Sequence, residues 1–355
     1  MLLVIVVNLM AILLVYYSDD KQKRSLYGVA FAILIFFYGI RRNYGNDYGN
    51  YEDVFNIIAG SASFMSLVGG HYEIGWLAIN KFFSFAPFPF FVFVLTIIQF
   101  LPIYILLKRY VSPEYRYLGL AVFLFDSSFL VCLSMMRQAL AGNLILLALP
   151  CLENKKRWPI YLGIVFLAAQ IHTSAYVMAI APLITYIAKL NTKKSTLLFM
   201  SVFVLFFYIS THAEILLDYL FEYEDMERYE RYLDAESHVS FGISFLLHIV
   251  FCFFIINKGP MKLEMIRQYS LFYPISYFFT ALGMIAPGTG RLAMYFSAIF
   301  CIVVPYLWLH FKRNTILFGL LILILLIDSG WDYITFFFSP VYGKHYIEYH
   351  TIFDF

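Results

Sequence analysis

Three arginines stand at the ends of apolar runs, where basic residues are scarce. Arg41 closes a run at about 26 to 40, Arg137 opens one at about 135 to 152, and Arg291 opens another after Pro287-Gly288-Thr289-Gly290. Read as helices, the second and third runs put an arginine in the first turn. The macrodipole is positive there, and a cation is disfavoured by about 0.3–1 kcal/mol. An anion arriving at that end removes the conflict. Free N–H groups at a helix start, a glycine-rich lead-in and a guanidinium fork suit phosphate oxygens taken two at a time. The chemistry these positions suggest is recognition of a phosphate or pyrophosphate, although any one arginine alone serves equally well as a headgroup anchor.

Once arginines neutralise a pyrophosphate leaving group, the remaining need is a base for the proton of an attacking hydroxyl. Three residues qualify. Asp47 lies in the polar knot Gly39 to Phe55, which follows the second apolar run with two arginines, two aspartates and three tyrosines. His172 sits in the polar middle of a long apolar stretch, where an ionisable group is functional by default. Glu73 follows Gly69-Gly70-His71-Tyr72. Asp47 is preferred, because Gly45 and Gly49 let its loop turn sharply and a carboxylate beside arginines stays ionised; His172 comes second and Glu73 third. No carboxylate cluster has metal-ligand spacing, so neither a metal nor another cofactor is expected. Cys132, Cys151, Cys252 and Cys301 show no CxxC spacing, which argues against a zinc site or a disulfide framework.

These residues are held by a chain that lives in lipid. It has 355 residues, 62% of them hydrophobic and only 14% charged, and a mean hydropathy of +0.76. The first run, Met1 to Tyr17, has no basic lead-in and reads as a retained helix rather than a signal peptide. Ten apolar runs approach or reach the length needed to cross a hydrocarbon core of about 30 Å: about 2–17, 26–40, 87–107, 117–133, 135–152, 195–210, 240–256, 269–286, 291–310 and 315–333. An eleventh stretch, 158–190, would span about 46 Å as one helix between Trp158 and Ala188, too far for one crossing. Both its flanks are basic and belong in the cytoplasm, so it folds into a broken hairpin tipped by Gln170-Ile171-His172-Thr173-Ser174.

With the amino terminus outside, all 25 basic residues except Arg41, Arg42, Lys81, Arg137, Arg228, Arg231, Arg291 and Lys344 fall in the cytoplasm, as the positive-inside rule requires. The expected fold is an all-α integral membrane protein, a single polytopic domain over residues 1–355 with about twelve helical segments. Its extracytoplasmic segments are about 41–86, 211–239 and 334–355. The formal net charge is only +2, and no basic block interleaved with aromatics suggests nucleic acid.

The order Arg41-x3-Gly45-Asn46-Asp47-x3-Tyr51-x3-Phe55, Glu73-Ile-Gly, Arg137-Gln138, Ile171-His172-Thr173-Ser174-Ala175 and Arg291 before Tyr295-Phe296 resembles the EpsG family of bacterial exopolysaccharide polymerases. That family is similar to the Wzy polymerases of O-antigen and capsule. Where many relatives read Gly-Thr-Asp, this chain reads Gly-Asn-Asp, which keeps the short polar turn. The resemblance implies a GT-C-like membrane glycosyltransferase that joins oligosaccharide repeat units carried on undecaprenyl pyrophosphate, at the outer face of the bacterial plasma membrane. It implies Asp47, His172 and Glu73 as catalytic candidates, Arg41, Arg137 and Arg291 on the pyrophosphate, and Gly45, Tyr51, Gln138, Gly290 and Tyr295 in support. Chain-length regulator and flippase proteins are the implied partners. A lipid-carrier-dependent ligase or single-sugar transferase, a flippase and a non-catalytic export scaffold stay open.

Overall fold

The computed structural model describes residues 1–19, 23–62, 72–188, 197, 201, 208, 243–258, 268–283 and 288–354. The acidic loop expected over 211–239, most of the crossing expected over about 195–210, the last two residues of the expected hairpin and Pro287 lie outside the described residues. Among the described residues the chain is helical almost throughout, with two strands of two residues each. This is the architecture of an all-α membrane protein. Among the described residues Phe88–Tyr110 and Thr315–Phe336 are long and apolar enough to cross a bilayer, and two bent helix pairs make up to four candidate spans if each pair is one span.

The chain divides into two compact units. The first holds Met1–Pro182, Phe300–Leu309 and Leu325–Phe355; the second holds Leu183–Ile299 and His310–Ile324. In the second, the helix Phe272–Leu282 meets the helix Ile243–Lys258 through Phe245, Ala281 and Tyr277, and His248 stacks on Tyr277 at 4.7 Å.

The first unit opens with α1 (Leu2–Tyr17) and α2 (Ser25–Gly39), which pack together, α2 also packing against α5 (Phe88–Tyr110). Gly39 makes the last contact possible, because a Cβ there would lie 2.4 Å from Phe93. A buried polar side chain must find partners, and Asn8 does: Tyr38 donates to its Oδ1 at 2.8 Å, and its Nδ2 donates to the Tyr333 hydroxyl at 3.3 Å. At the far end of α5, Lys108 and Arg109 stand in the last turn, where cations suit the dipole. Arg109 pairs there with Glu153 at 2.9 Å.

Between α2 and α5 lie β1 (Arg41–Arg42), α3 (Tyr48–Gly60) and α4 (Ile74–Phe83). Their apolar faces share an aromatic core in which Tyr51 meets Trp76 at 5.4 Å and Trp76 meets Phe91 at 5.6 Å. After α5 come α6 (Arg116–Leu124), α7 (Ser127–Ser134) and α8 (Met136–Ala148). The crossing expected over 117–133 is instead bent by 58° between α6 and α7. Asp126 causes the break: its carboxylate accepts the Ser128 N–H at 2.8 Å, an N-cap that starts a new helix.

The long stretch from Trp158 folds as α9 (Trp158–Ala169), a 3-10 segment Thr173–Ile180 and α10 (Ala181–Ala188). The Tyr161 hydroxyl donates to the Met178 carbonyl at 3.2 Å. A straight helix would hold those residues about 25 Å apart, so α9 and the 3-10 segment run side by side and the chain reverses at Gln170–His172, within the expected tip.

The chain's last described residues return across the polar knot. β2 (His350–Thr351) pairs antiparallel with β1, Arg41 opposite Thr351. Tyr349 stacks on Phe37 at 4.2 Å, and the Tyr346 hydroxyl donates to Leu130 O at 2.9 Å.

Candidate functional site

Glu73 is the hub where three segments meet. It is the N-cap residue of α4, in an extended conformation, yet its carboxylate makes no capping bond to its own helix. It reaches instead to the hairpin tip. Its Oε1 accepts the Thr173 N–H at 2.9 Å and the Thr173 hydroxyl at 3.1 Å. The Thr173 amide opens the 3-10 segment, one of the N–H groups that a helical start leaves without an internal partner. A carboxylate from elsewhere in the chain therefore caps the second arm of the hairpin.

Two more groups converge on the same carboxylate. Arg137 Nη1 donates to Glu73 Oε2 at 2.6 Å, and His172 Nδ1 lies 3.2 Å from Glu73 Oε1. Facing an ionised acceptor, Nδ1 is the nitrogen that donates, so in the neutral ring Nε2 is the acceptor nitrogen. Burial works against ionisation of Glu73, but hydrogen bonds from His172 and the Thr173 amide, with the Arg137 charge, outweigh it and hold the carboxyl down at about 2. The three side chains are 19–23% exposed, so they are mostly enclosed and still reachable from outside.

Backbone contacts fix this geometry. Gly75 donates its N–H to Gln170 O at 2.8 Å. A Cβ at Gly75 would lie 2.5 Å from that oxygen, so only glycine lets α4 sit this close to the hairpin tip. Arg137 is steadied from the other side: its guanidinium lies 4.7 Å from the Tyr72 ring centroid and hydrogen-bonds Tyr51. Tyr51 is itself nearly buried against Trp76.

Asp47 sits one step further along the same wall. It is half-buried at the start of α3, with its N–H donating to Ser134 Oγ at 3.0 Å and its Oδ2 accepting from that hydroxyl at 3.4 Å. Asp47 and Arg137 both act electrostatically on Tyr51. Gly45, two residues earlier, has φ +118, a backbone region that favours glycine, and a Cβ there would lie 3.0 Å from the Ser134 backbone.

Arg41 is placed differently from the sequence reading. It is only 2% exposed, and its guanidinium turns inward rather than toward an outer ligand. Nη1 donates to Tyr38 O and to Thr96 Oγ1, each at 2.7 Å, and Nη2 to Leu133 O at 3.4 Å. Helix ends supply two of these acceptors, because α2 stops after Gly39 and α7 breaks at Met135 before α8 begins, leaving carbonyls outside the helical ladder.

Gln138 is buried beside Arg137 on α8. Arg291, Gly290 and Tyr295 belong to the second unit. Arg291 is exposed in the 3-10 segment Thr289–Ala293, Tyr295 is buried, and Gly290 packs so tightly on Gly283 that a Cβ at Gly283 would lie 2.6 Å from it. The Glu73 cluster draws on the first unit alone. Sequence reasoning missed Thr173 and Gly75 as contributors, although both fall inside the short motifs that marked Glu73 and His172. It also missed Ser134 and Tyr72. Among the described residues no three His, Cys, Asp or Glu side chains gather in a way that would hold a metal ion.

No curated protein and no solved structure matches the chain. The model of the EpsG family matches residues 24–351, a range that contains every residue of the site just described. Nearly the whole chain is covered, and the protein belongs to the EpsG family.

Proposed function

We propose that the protein is a polysaccharide polymerase that joins oligosaccharide repeat units carried on undecaprenyl pyrophosphate, at the outer face of the bacterial plasma membrane. It does so as one polytopic membrane domain of about twelve helical segments with a GT-C-like architecture. The observation that carries this reading is the Glu73 carboxylate, which joins a phosphate-binding group, Arg137, to a proton-accepting group, His172.

In the proposed reaction, a hydroxyl of one lipid-linked unit attacks the anomeric carbon of the chain held by a second. The new glycosidic C–O bond forms as the anomeric C–O bond to pyrophosphate breaks, and undecaprenyl pyrophosphate leaves with the electron pair. The hydroxyl proton passes to His172 Nε2. Glu73 holds the ring in the tautomer that leaves Nε2 open and offsets the charge the ring gains. Arg137 faces the departing pyrophosphate. The preference for Asp47 as base gives way here to His172, because Asp47 has its Ser134 partner while His172 has an oriented ring. Asp47 then binds the incoming sugar. Arg41 acts from beneath, holding the ends of α2 and α7 in place.

The test is incubation of the purified protein in lipid nanodiscs with lipid-linked repeat units from its host. A polymerase yields a ladder of chain lengths and releases undecaprenyl pyrophosphate. A single addition product would instead identify a ligase or single-sugar transferase, and unchanged substrate with transbilayer movement a flippase.

A further inference from the structure

Behind the wall that carries Asp47 and Arg137 lies a cavity of about 10 Å³, on the scale of a single water molecule. It is lined by Arg41, Gln99 and Asn143 together with Leu95, Cys132 and Leu140. Its polar walls are the unusual part. Arg41 is 2% exposed, Gln99 5% and Asn143 7%, and buried polar groups almost always find a hydrogen-bond partner. Here the Arg41 Nε has none among the described residues. The side chains of Gln99 and Asn143 line the same space.

Charge adds a second, independent argument. Among the described residues no carboxylate forms an ion pair with the Arg41 guanidinium, which is buried beside Tyr48, Tyr44, Tyr346 and Tyr349. Its three hydrogen bonds go to two carbonyls and a hydroxyl, all neutral. A buried cation without an anion is costly, and the cost falls when a counter-ion occupies the same enclosure. A guanidinium and two amide side chains, all able to donate N–H groups, thus line a space of about 10 Å³, small for a phosphate or a carboxylate.

We infer that the cavity is a binding site for one monatomic halide, chloride under ordinary conditions, held by Arg41 Nε with the Gln99 and Asn143 amides and neutralising the buried arginine. Bound there, the ion stabilises the junction of α2, α5, α7 and α8 on which the Asp47 wall rests. This inference does not depend on the polymerase reading, since the site and its test concern binding and stability only.

The test measures melting of the purified full-length protein in detergent, with chloride or bromide exchanged for gluconate at constant ionic strength and pH. Halide at about ten times its Kd should raise Tm by about 2–4 °C, saturably. Replacing both amides at near-constant volume, Gln99→Met with Asn143→Leu, should abolish the halide-specific increment. Equilibrium dialysis with radiolabelled chloride should retain about one ion per chain in the wild type, and that arm decides the matter even if the double variant fails to fold. Equal melting in chloride and gluconate with no retained chloride would overturn the inference and make the occupant water. A halide increment that survives the double substitution would overturn it too, by moving the ion elsewhere.

Discussion

Glu73→Gln isolates the joint between the arginine and the histidine with little change of shape. The wild-type carboxylate accepts from four donors: Arg137 at 2.6 Å, His172 at 3.2 Å, and the Thr173 amide and hydroxyl at 2.9 and 3.1 Å. Glutamine keeps one oxygen, which can stay on the Thr173 amide and preserve the cap on the hairpin's second arm. Its NH2 then faces Arg137 Nη1, donor against donor, and His172 loses its anionic partner. The side chains are 20% and 19% exposed, so the lost ion pair is worth more than a surface pair at about 0–1 kcal/mol and less than a fully buried one at about 3–5 kcal/mol. One charge-assisted hydrogen bond corresponds to about 1.5–3 kcal/mol. At 1.36 kcal/mol per factor of ten, polymerisation should fall by about ten- to a hundredfold if the bond is kept in the transition state. The assay is the initial rate of ladder formation in nanodiscs, with protein yield and Tm measured in parallel. A variant within twofold of the wild-type rate, at unchanged Tm, would refute the idea that Glu73 couples the two groups.

The remaining expectations use the same assay. His172→Gln should lower turnover by about a hundredfold or more, the scale of a lost general base, while Asp47→Asn should act mainly on KM for the incoming unit; a nearly active His172→Gln beside a dead Asp47→Asn would restore Asp47 as the base. Arg137→Lys keeps the charge but gives up the guanidinium fork and its planar contact with Tyr72, so at least a tenfold loss is expected with normal membrane insertion, and wild-type polymer would reduce Arg137 to a headgroup anchor. Gly75→Ala forces a Cβ to within 2.5 Å of Gln170 O and should cost about 1–3 kcal/mol of stability, whereas Gly49→Ala, where an added Cβ meets nothing within 4 Å, should melt like the wild type. The carboxyl of Glu73 is lowered from 4.5 to about 2, so its contribution to stability is complete above pH 4.5 and is lost as pH falls through 2; the Tm difference between wild type and Glu73→Gln should therefore be flat from pH 5 upward and shrink below 4.5.

Much of this arrangement could be read from residue order, for identifiable reasons. The hairpin showed in the sequence because its length exceeds one crossing, both flanks are basic and a polar cluster sits midway. The structure breaks the helix inside that cluster. The kink at Asp126 left a weaker trace, Asp-Ser-Ser in an apolar run, which hydropathy averages away although it is an N-cap signature. The inward turn of Arg41 left none. Carbonyls freed by two helix ends far apart in sequence are invisible in either segment alone, and an arginine beside a polar loop is ordinarily taken to face water. The pairing of Arg41 with Thr351 was equally hidden, because two residues of strand carry no period.

Glu73 shows most clearly why ranking by local context falls short. In sequence it is a lone acid ahead of an apolar helix, less conspicuous than Asp47 among its glycines and tyrosines. Its partners lie 64 residues away, at Arg137, and 99 residues away, at His172, so nothing near it announces what it joins. The fold gives it that position through two constraints readable only in three dimensions: a glycine that lets α4 touch the hairpin tip, and a chain reversal that leaves the Thr173 amide needing an acceptor. One carboxylate then meets three needs, capping the second arm of the hairpin, fixing the tautomer of a histidine and holding an arginine beside it. In a glycosyl transfer that expels pyrophosphate, the proton leaves the acceptor as negative charge builds on the leaving group. In the proposed reaction, where His172 takes the proton and Arg137 meets the phosphate, a side chain bonded to both ties those two events to one geometry, so displacement of Glu73 should impair both together, where loss of His172 or Arg137 impairs one.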